Sequence, residues 1–374
     1  MSVHAKALGL AILLACTAVA QQQPSAEAIL RRAIELHQSG DIAGAIEQYR
    51  AYLKIEPKNV MARSNLGAAL SRSGRYEEAI VEYKRALEIE PASLPIRLNL
   101  ALSYYKSAQI SSAAAELSKV VKQQSDNRQA IFLLADCHLR LGENQKVIAL
   151  LSPLEKGSPN DKALIYLLGT ALIRDHQPER GQVLVDRILR DGDSAEARLL
   201  VGTTKLNAMD ASGALVDLRK AVELDPQLPD VYSYYGLALL TTGDAAAAAK
   251  AFGKELESNP NDFVSNLQMG VLDKQDERYE EARAFFEKAL RVRPGDAGVR
   301  YQLATLDLIG GKLDRACSEL ERLTRESPQF VEAHVSLATV YYRLKRKDDG
   351  DRERAIVQKL NAEAQARQPG AQGK

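Results

Sequence analysis

The residues able to do chemistry are thinly spread along this chain. The histidines (His4, His37, His138, His176, His334) and cysteines (Cys16, Cys137, Cys317) are scattered, with no CxxC pair and no His/Cys cluster. Neither a metal site nor a redox pair is expected from such spacing. No GxxxxGK[ST] or GxGxxG phosphate loop, HExxH helix or GxSxG nucleophile turn is present. The expectation is a protein without catalytic residues, metal or cofactor. One basic set does recur: Arg72, Lys106, Arg140 and Arg174 follow one another at intervals of 34 residues. Tyr105 stands beside Lys106, and Phe132 and Tyr166 are themselves 34 apart, as are Asn65 and Asn99. Bases beside aromatic rings suit an extended or helical peptide carrying acidic groups. The plainer reading is ordinary surface charge in an Arg-rich chain.

The same interval runs through the elements that must position these residues. Pro57 and Pro91 are 34 residues apart, and Pro226, Pro260, Pro294 and Pro328 continue at that step. A proline just past a helix end stops the helix and fixes the turn, so each closes a unit. Within the units a large residue precedes a small one at Leu66-Gly67, Leu100-Ala101, Leu134-Ala135, Leu168-Gly169, Tyr235-Gly236, Met269-Gly270, Leu303-Ala304 and Leu337-Ala338. A second small residue follows twelve positions later, as at Ala79, Ala113, Ala248, Ala282 and Ala316. Between them comes a turn often marked by glycine: Gly40, Gly74, Gly142, Gly243 and Gly311. Each unit therefore reads as helix, short turn, helix, with paired small residues allowing close approach and Tyr49, Tyr83, Phe252 and Phe286 filling the space beside them. Ala, Leu, Glu, Arg and Lys are abundant, and strand-like alternation is hard to find.

This pattern resembles the tetratricopeptide repeat, with Asn65-Leu66-Gly67 through Gly74-Arg75-Tyr76-Glu77-Glu78-Ala79 to Pro91 a near-ideal unit. The resemblance covers roughly residues 26–345 and implies an all-α fold, a right-handed α-α superhelical solenoid of about ten helical hairpins. It also implies a protein-interaction scaffold whose first helices line a concave groove. The groove residues it assigns are Asn65, Arg72, Asn99, Tyr105, Lys106, Phe132, Arg140, Tyr166 and Arg174, with the bases orienting acidic groups and the rings supplying apolar contact. The family's carboxylate clamp is not carried over, because Leu30 and Ile34 occupy its first two positions. The chain departs from the pattern in lacking Trp, in ending its third unit at Ser125 without proline, and in a fifth unit one residue short with Gly181 at the usual Ala.

The two ends differ from the middle. His4 and Lys6 precede an apolar run, Ala7 to Ala20, ending Ala18-Val19-Ala20. That describes a secretory signal peptide cut after Ala20, and a protein exported to the periplasm or secreted. The alternative is lipid anchoring through Cys16, since Leu13-Leu14-Ala15-Cys16 resembles a lipoprotein box. No later stretch is long and apolar enough to span a bilayer. The expected organisation is signal peptide 1–20, linker 21–25, repeats 26–345, a highly charged capping helix 346–367 and a disordered tail 368–374. Lys plus Arg number 50 against 49 Asp plus Glu, a balance that gives no global field for nucleic acid. A protein or peptide is the expected partner. A structural component of a secretion, pilus or outer-membrane assembly is the competing expectation.

Overall fold

Prolines and acidic caps cut the chain into helices where the repeat places them. In six of the turns between hairpins a proline (Pro57, Pro91, Pro226, Pro260, Pro294, Pro328) directly follows the C-cap residue. Asn59, Asn127, Asp161, Asp262 and Asp296 then accept the N–H three residues on, at 2.6–3.0 Å, and so start the next helix. Each such cap contributes about 1 kcal/mol.

The computed structural model describes residues 25–190 and 192–366. The leader over 1–20, the linker up to residue 24 and the tail 368–374 lie outside them. Among the described residues there are twenty α-helices and no strand. The chain falls into two units, Met1–Pro91 and Ala92–Lys374. The first holds two hairpins, α1 (Ala26–Ser39) with α2 (Ile42–Ile55) and α3 (Val60–Arg72) with α4 (Tyr76–Ile89). The second unit holds eight more. They pair α5 (Leu94–Lys106) with α6 (Ile110–Gln123), α7 (Arg128–Arg140) with α8 (Asn144–Glu155), α9 (Lys162–Arg174) with α10 (Pro178–Arg190), and α11 (Ala195–Asn207) with α12 (Ala211–Leu224). Then follow α13 (Val231–Thr241) with α14 (Ala245–Ser258), α15 (Phe263–Gln275) with α16 (Tyr279–Val292), α17 (Ala297–Ile309) with α18 (Leu313–Glu326), and α19 (Val331–Arg343) with α20 (Lys347–Ala366).

Helices within a hairpin meet where the sequence has its small residue. A Cβ built on Gly67 would lie 2.8 Å from the Tyr83 ring, and on Gly236 or Gly270 2.6 Å from Phe252 or Phe286. The large partner always stands sixteen residues on, and all three rings are at most 2 % exposed. Where alanine replaces glycine, at Ala135 and Ala304, the residue sixteen on is Leu151 or Leu320, buried in the same cluster. In these five hairpins volume removed from one helix is returned on the other, as close packing requires; at Gly202 the residue sixteen on is a leucine, Leu218. The short fifth hairpin differs: Gly181 lies beneath Ile173, 2.7 Å from where its Cβ would be. In α20 only Gly350 and Leu360 are buried, and His334 holds Glu353 across the last hairpin through Nδ1 at 2.5 Å.

The turn inside every hairpin passes through one left-handed residue. Five are the expected glycines; the other five are Ala108, His176, Met209, Glu277 and Lys345, at φ 57–63°. A left-handed L-residue costs about 1–2 kcal/mol, partly offset by the greater chain entropy that glycine would lose. Met209→Gly, at a side chain 93 % exposed, should therefore stabilise the protein by about 0.5–1 kcal/mol, read as a higher urea midpoint. Gly270→Ala should cost about 1–3 kcal/mol by overpacking. Adding Phe286→Leu should recover part of that loss, and additive losses in the double variant would count against the size-matching account.

Candidate functional site

In the first unit, Asn65 hydrogen-bonds the Tyr49 hydroxyl. Arg72, the last residue of α3, is exposed. Burial, and then the charge of Arg72, push the His37 pKa down. The other seven residues singled out in the sequence belong to the second unit. Asn99 is half-buried and its carbonyl accepts from Ser103 Oγ at 3.0 Å. Lys106 ends α5 and is exposed. Phe132 packs partly into the core of α7 to α10, with the Arg128 guanidinium 5.2 Å over its ring.

Tyr105, Arg140, Tyr166 and Arg174 come together on the walls of one cavity of about 160 Å³. Stacking places them so: Tyr105, Arg140 and Arg174 stand in the last turns of α5, α7 and α9, helices that the repeat sets side by side, and Tyr166 lies about two turns earlier in α9. Tyr105 donates to Asp136 Oδ2 at 2.5 Å, and Arg140 Nε donates to the same oxygen at 2.8 Å. The Arg140 guanidinium lies 5.1 Å from the Tyr105 ring centroid. Burial, and then the Asp136 carboxylate, drive the Tyr105 phenol far above its ordinary pKa. Burial works against the Arg140 charge, but Asp136 and its neighbours outweigh it and raise the pKa.

The opposite wall comes from turns far along the chain, Leu228–Asp230, Asn261–Val264 and Val292–Arg293, together with Tyr234 of α13. Arg174 donates to the Tyr234 hydroxyl and lies 5.4 Å from its ring centroid. Arg293 stacks 3.8 Å from the Phe263 centroid and donates from Nε to the carbonyl of Arg140, 153 residues away. Its Nη1 passes 3.7 Å from where a Gly142 Cβ would stand. Burial, then the nearby Arg174 charge, lowers the Arg293 pKa. The second unit thus folds back on itself, and Arg293 is the clasp.

Asp230, Glu255 and Asp262 bring carboxylate oxygens within 4.8 Å of one another at the edge of this wall. Their visible task is to hold the turn. Asp230 takes a left-handed φ of 66°, and Glu255 accepts its N–H at 3.1 Å and that of Tyr232 at 3.3 Å. Asp262 caps Ser265 and accepts from Ser233 Oγ at 2.7 Å. Burial, then Asp262 and Asp230, raise the Glu255 pKa to about 7; burial and Asp262 raise that of Asp230.

Sequence reasoning found one wall and missed the other. The repeat interval identifies residues on successive hairpins, whereas Asp230, Tyr234, Phe263 and Arg293 meet α7 and α9 only because the stack curves. The one available signal was Arg293 itself, a base directly before a unit-closing proline.

Two outcomes follow. A carboxyl whose folded pKa lies above its unfolded value favours folding below the unfolded pKa, and that contribution is lost as pH rises through the folded one. Glu255 should therefore cost stability as pH rises from about 4.5 to about 7. Melting across that window should show Glu255→Gln with a flatter pH dependence than the parent; an identical slope would contradict the assignment. Arg293→Ala should raise amide hydrogen exchange around residues 140–146 and 292–296 and leave residues 331–366 unchanged.

Tetratricopeptide-repeat family models match residues 70–131 and 274–329 in one form and 30–93 and 202–263 in another, together more than half of the chain. Anaphase-promoting complex subunit 3 of Schizosaccharomyces pombe is 23 % identical over 146 residues, 39 % of this chain and 22 % of that protein. Human DnaJ homolog subfamily C member 3 is 28 % identical over 181 residues, 44 % of this chain and 35 % of that protein. The chain thus spans only about a fifth to a third of these relatives' length. Among solved structures, the Cut9–Hcn1 hetero-tetramer of the APC/C contains a chain of similar fold, with TM-score 0.52 and 13 % identity over 90 % of this chain and 87 % of that one. Repeat spacing, hairpin geometry and these matches agree: the chain belongs to the tetratricopeptide-repeat family.

Proposed function

We propose that this protein is a non-enzymatic scaffold that binds a protein or peptide along the face lined by its first helices, a face that is concave in a solenoid of this family. The observation that carries the reading is a cleft of about 360 Å³ next to the buried chamber. Tyr105, Lys106 and Arg140 line it on one side, and Pro229 with Asn259–Asn261 on the other. A ring, an exposed base and exposed turn backbone in one cleft suit an extended segment carrying acidic groups. Phe132 and Asn99 extend the same reading along α7 and α5; in the first unit, taken by itself, Asn65 and Arg72 are the corresponding residues of α3. Similar proteins named as a complex subunit and as part of a hetero-tetramer support a role in assembly.

A second reading, a structural component of an envelope assembly, draws on the second helices. Val183 on α10 and Val216 on α12 are 55 % and 67 % exposed. We further propose export, with cleavage after Ala20; intact mass of protein recovered outside the cytoplasm checks this, and lipid on Cys16 would replace it.

A photo-crosslinking residue at Lys106 or at Val216 separates the two faces. Adducts to a partner from position 106 are expected, and Phe132→Ala should reduce their yield while helicity and melting temperature stay as in the parent. A true aromatic anchor costs about 2 kcal/mol or more of binding when truncated. Adducts from position 216 alone would favour the structural reading.

A further inference from the structure

The buried chamber holds more positive hydrogen-bonding capacity than the chain itself uses. Three guanidiniums, Arg140, Arg174 and Arg293, share its walls with three carboxylates, Asp136, Asp230 and Asp262. Asp136 is taken by Arg140 and Tyr105, and Asp262 by Ser233 and the Ser265 N–H. Among the described residues neither Arg174 nor Arg293 forms an ion pair; each spends one N–H, on the Tyr234 hydroxyl and on a backbone carbonyl. Asp230 is the remaining acid, and its crowding with Glu255 and Asp262 works against all three being ionised together. The Tyr166 and Thr170 hydroxyls line the same space and have no hydrogen-bond partner among the described residues. Against its burial, Tyr234 and Asp230 support the Arg174 charge, but buried donors without a partner stay costly until something completes their hydrogen bonds.

We propose that this chamber is a binding site for a small oxyanion, a carboxylate or phosphate group held by Arg174, Arg293 and the Tyr166 and Thr170 hydroxyls. Size agrees: the space of about 160 Å³ is close to the roughly 150 Å³ that accommodates a benzene-sized molecule. It therefore admits a free anion or the end of one acidic side chain, and no peptide backbone. The planar fork of arginine matches both oxyanions. The site does not depend on the scaffold reading: the adjacent cleft shares Tyr105 and Arg140 with the chamber, but Tyr166, Thr170, Arg174 and Arg293 line the chamber and not the cleft.

Thermal unfolding of the full chain, at constant ionic strength set with sodium chloride, tests it. Sodium phosphate and sodium acetate serve as free anions, and a blocked acidic octapeptide supplies carboxylate as side chains. A saturable rise in melting temperature with either class supports the site, and the class that produces it identifies the source. Tyr166→Phe removes only a hydroxyl without a partner and leaves the packing in place. One hydrogen bond to a charged group is worth about 1.5–3 kcal/mol, so its half-saturation concentration should rise about tenfold or more. Arg174→Gln should abolish the effect, and Lys359→Gln on the exposed face of α20 should leave it intact. No anion-specific shift beyond the chloride control, or an equal shift in Tyr166→Phe and the parent, would overturn the proposal. Partner crosslinking at Lys106 fails or succeeds independently of either result.

Discussion

Everything in this molecule rests on how closely two helices of one hairpin can approach. At Gly67, Gly236 and Gly270 the second helix sends a ring into the place of the missing side chain. Where the small residue is alanine, a leucine suffices, as at Ala135 with Leu151. This local exchange of volume sets the distance between helices. The short turns around left-handed residues set their angle, and repetition carries both along the chain. A tetratricopeptide hairpin has no core of its own beyond this seam and its contacts with neighbours, so an error in the seam is felt by the hairpins packed on either side of it.

The seam and the stops were plain in the sequence because each is written in one residue. Pro260 and Pro294 mark turns wherever they stand, and Gly270 with Phe286 declares its pairing by spacing. Half of the left-handed turns were not legible. Ala108, His176, Met209, Glu277 and Lys345 adopt the conformation because the two flanking helices impose it, and residue identity has little say. The bases at 72, 106, 140 and 174 were visible as a row, yet the row did not reveal that Arg140 and Arg174 would be enclosed. Enclosure depends on Arg293, Phe263 and Asp230, which reach α7 and α9 through curvature accumulated over several hairpins. Small rotations add up to that curvature, and no single residue carries it.

The enclosed chamber has an unusual electrical character for a repeat surface. Rings and guanidiniums alternate, Tyr105 on Arg140, Tyr234 on Arg174 and Phe263 on Arg293, so each cation rests on a ring face whose quadrupole attracts it. The acids that balance them are divided. Asp136 serves one arginine directly, while Glu255 and Asp262 spend their oxygens on backbone and hydroxyl donors. Stability and affinity therefore draw on the same side chains, and a change to either wall alters both.

Arg293 also governs how this chain could change over evolutionary time. Repeat arrays ordinarily lengthen or shorten by whole units, since each hairpin knows only its neighbours. A contact spanning 153 residues breaks that freedom for the stretch it encloses. Duplicating or losing one hairpin between Arg140 and Arg293 would carry the guanidinium a full step along the coil, away from its carbonyl and out of reach of Gly142. Hairpins outside the clasp face no such bar. The number of units inside it is therefore a counted quantity, and growth of the array is confined to its two flanks.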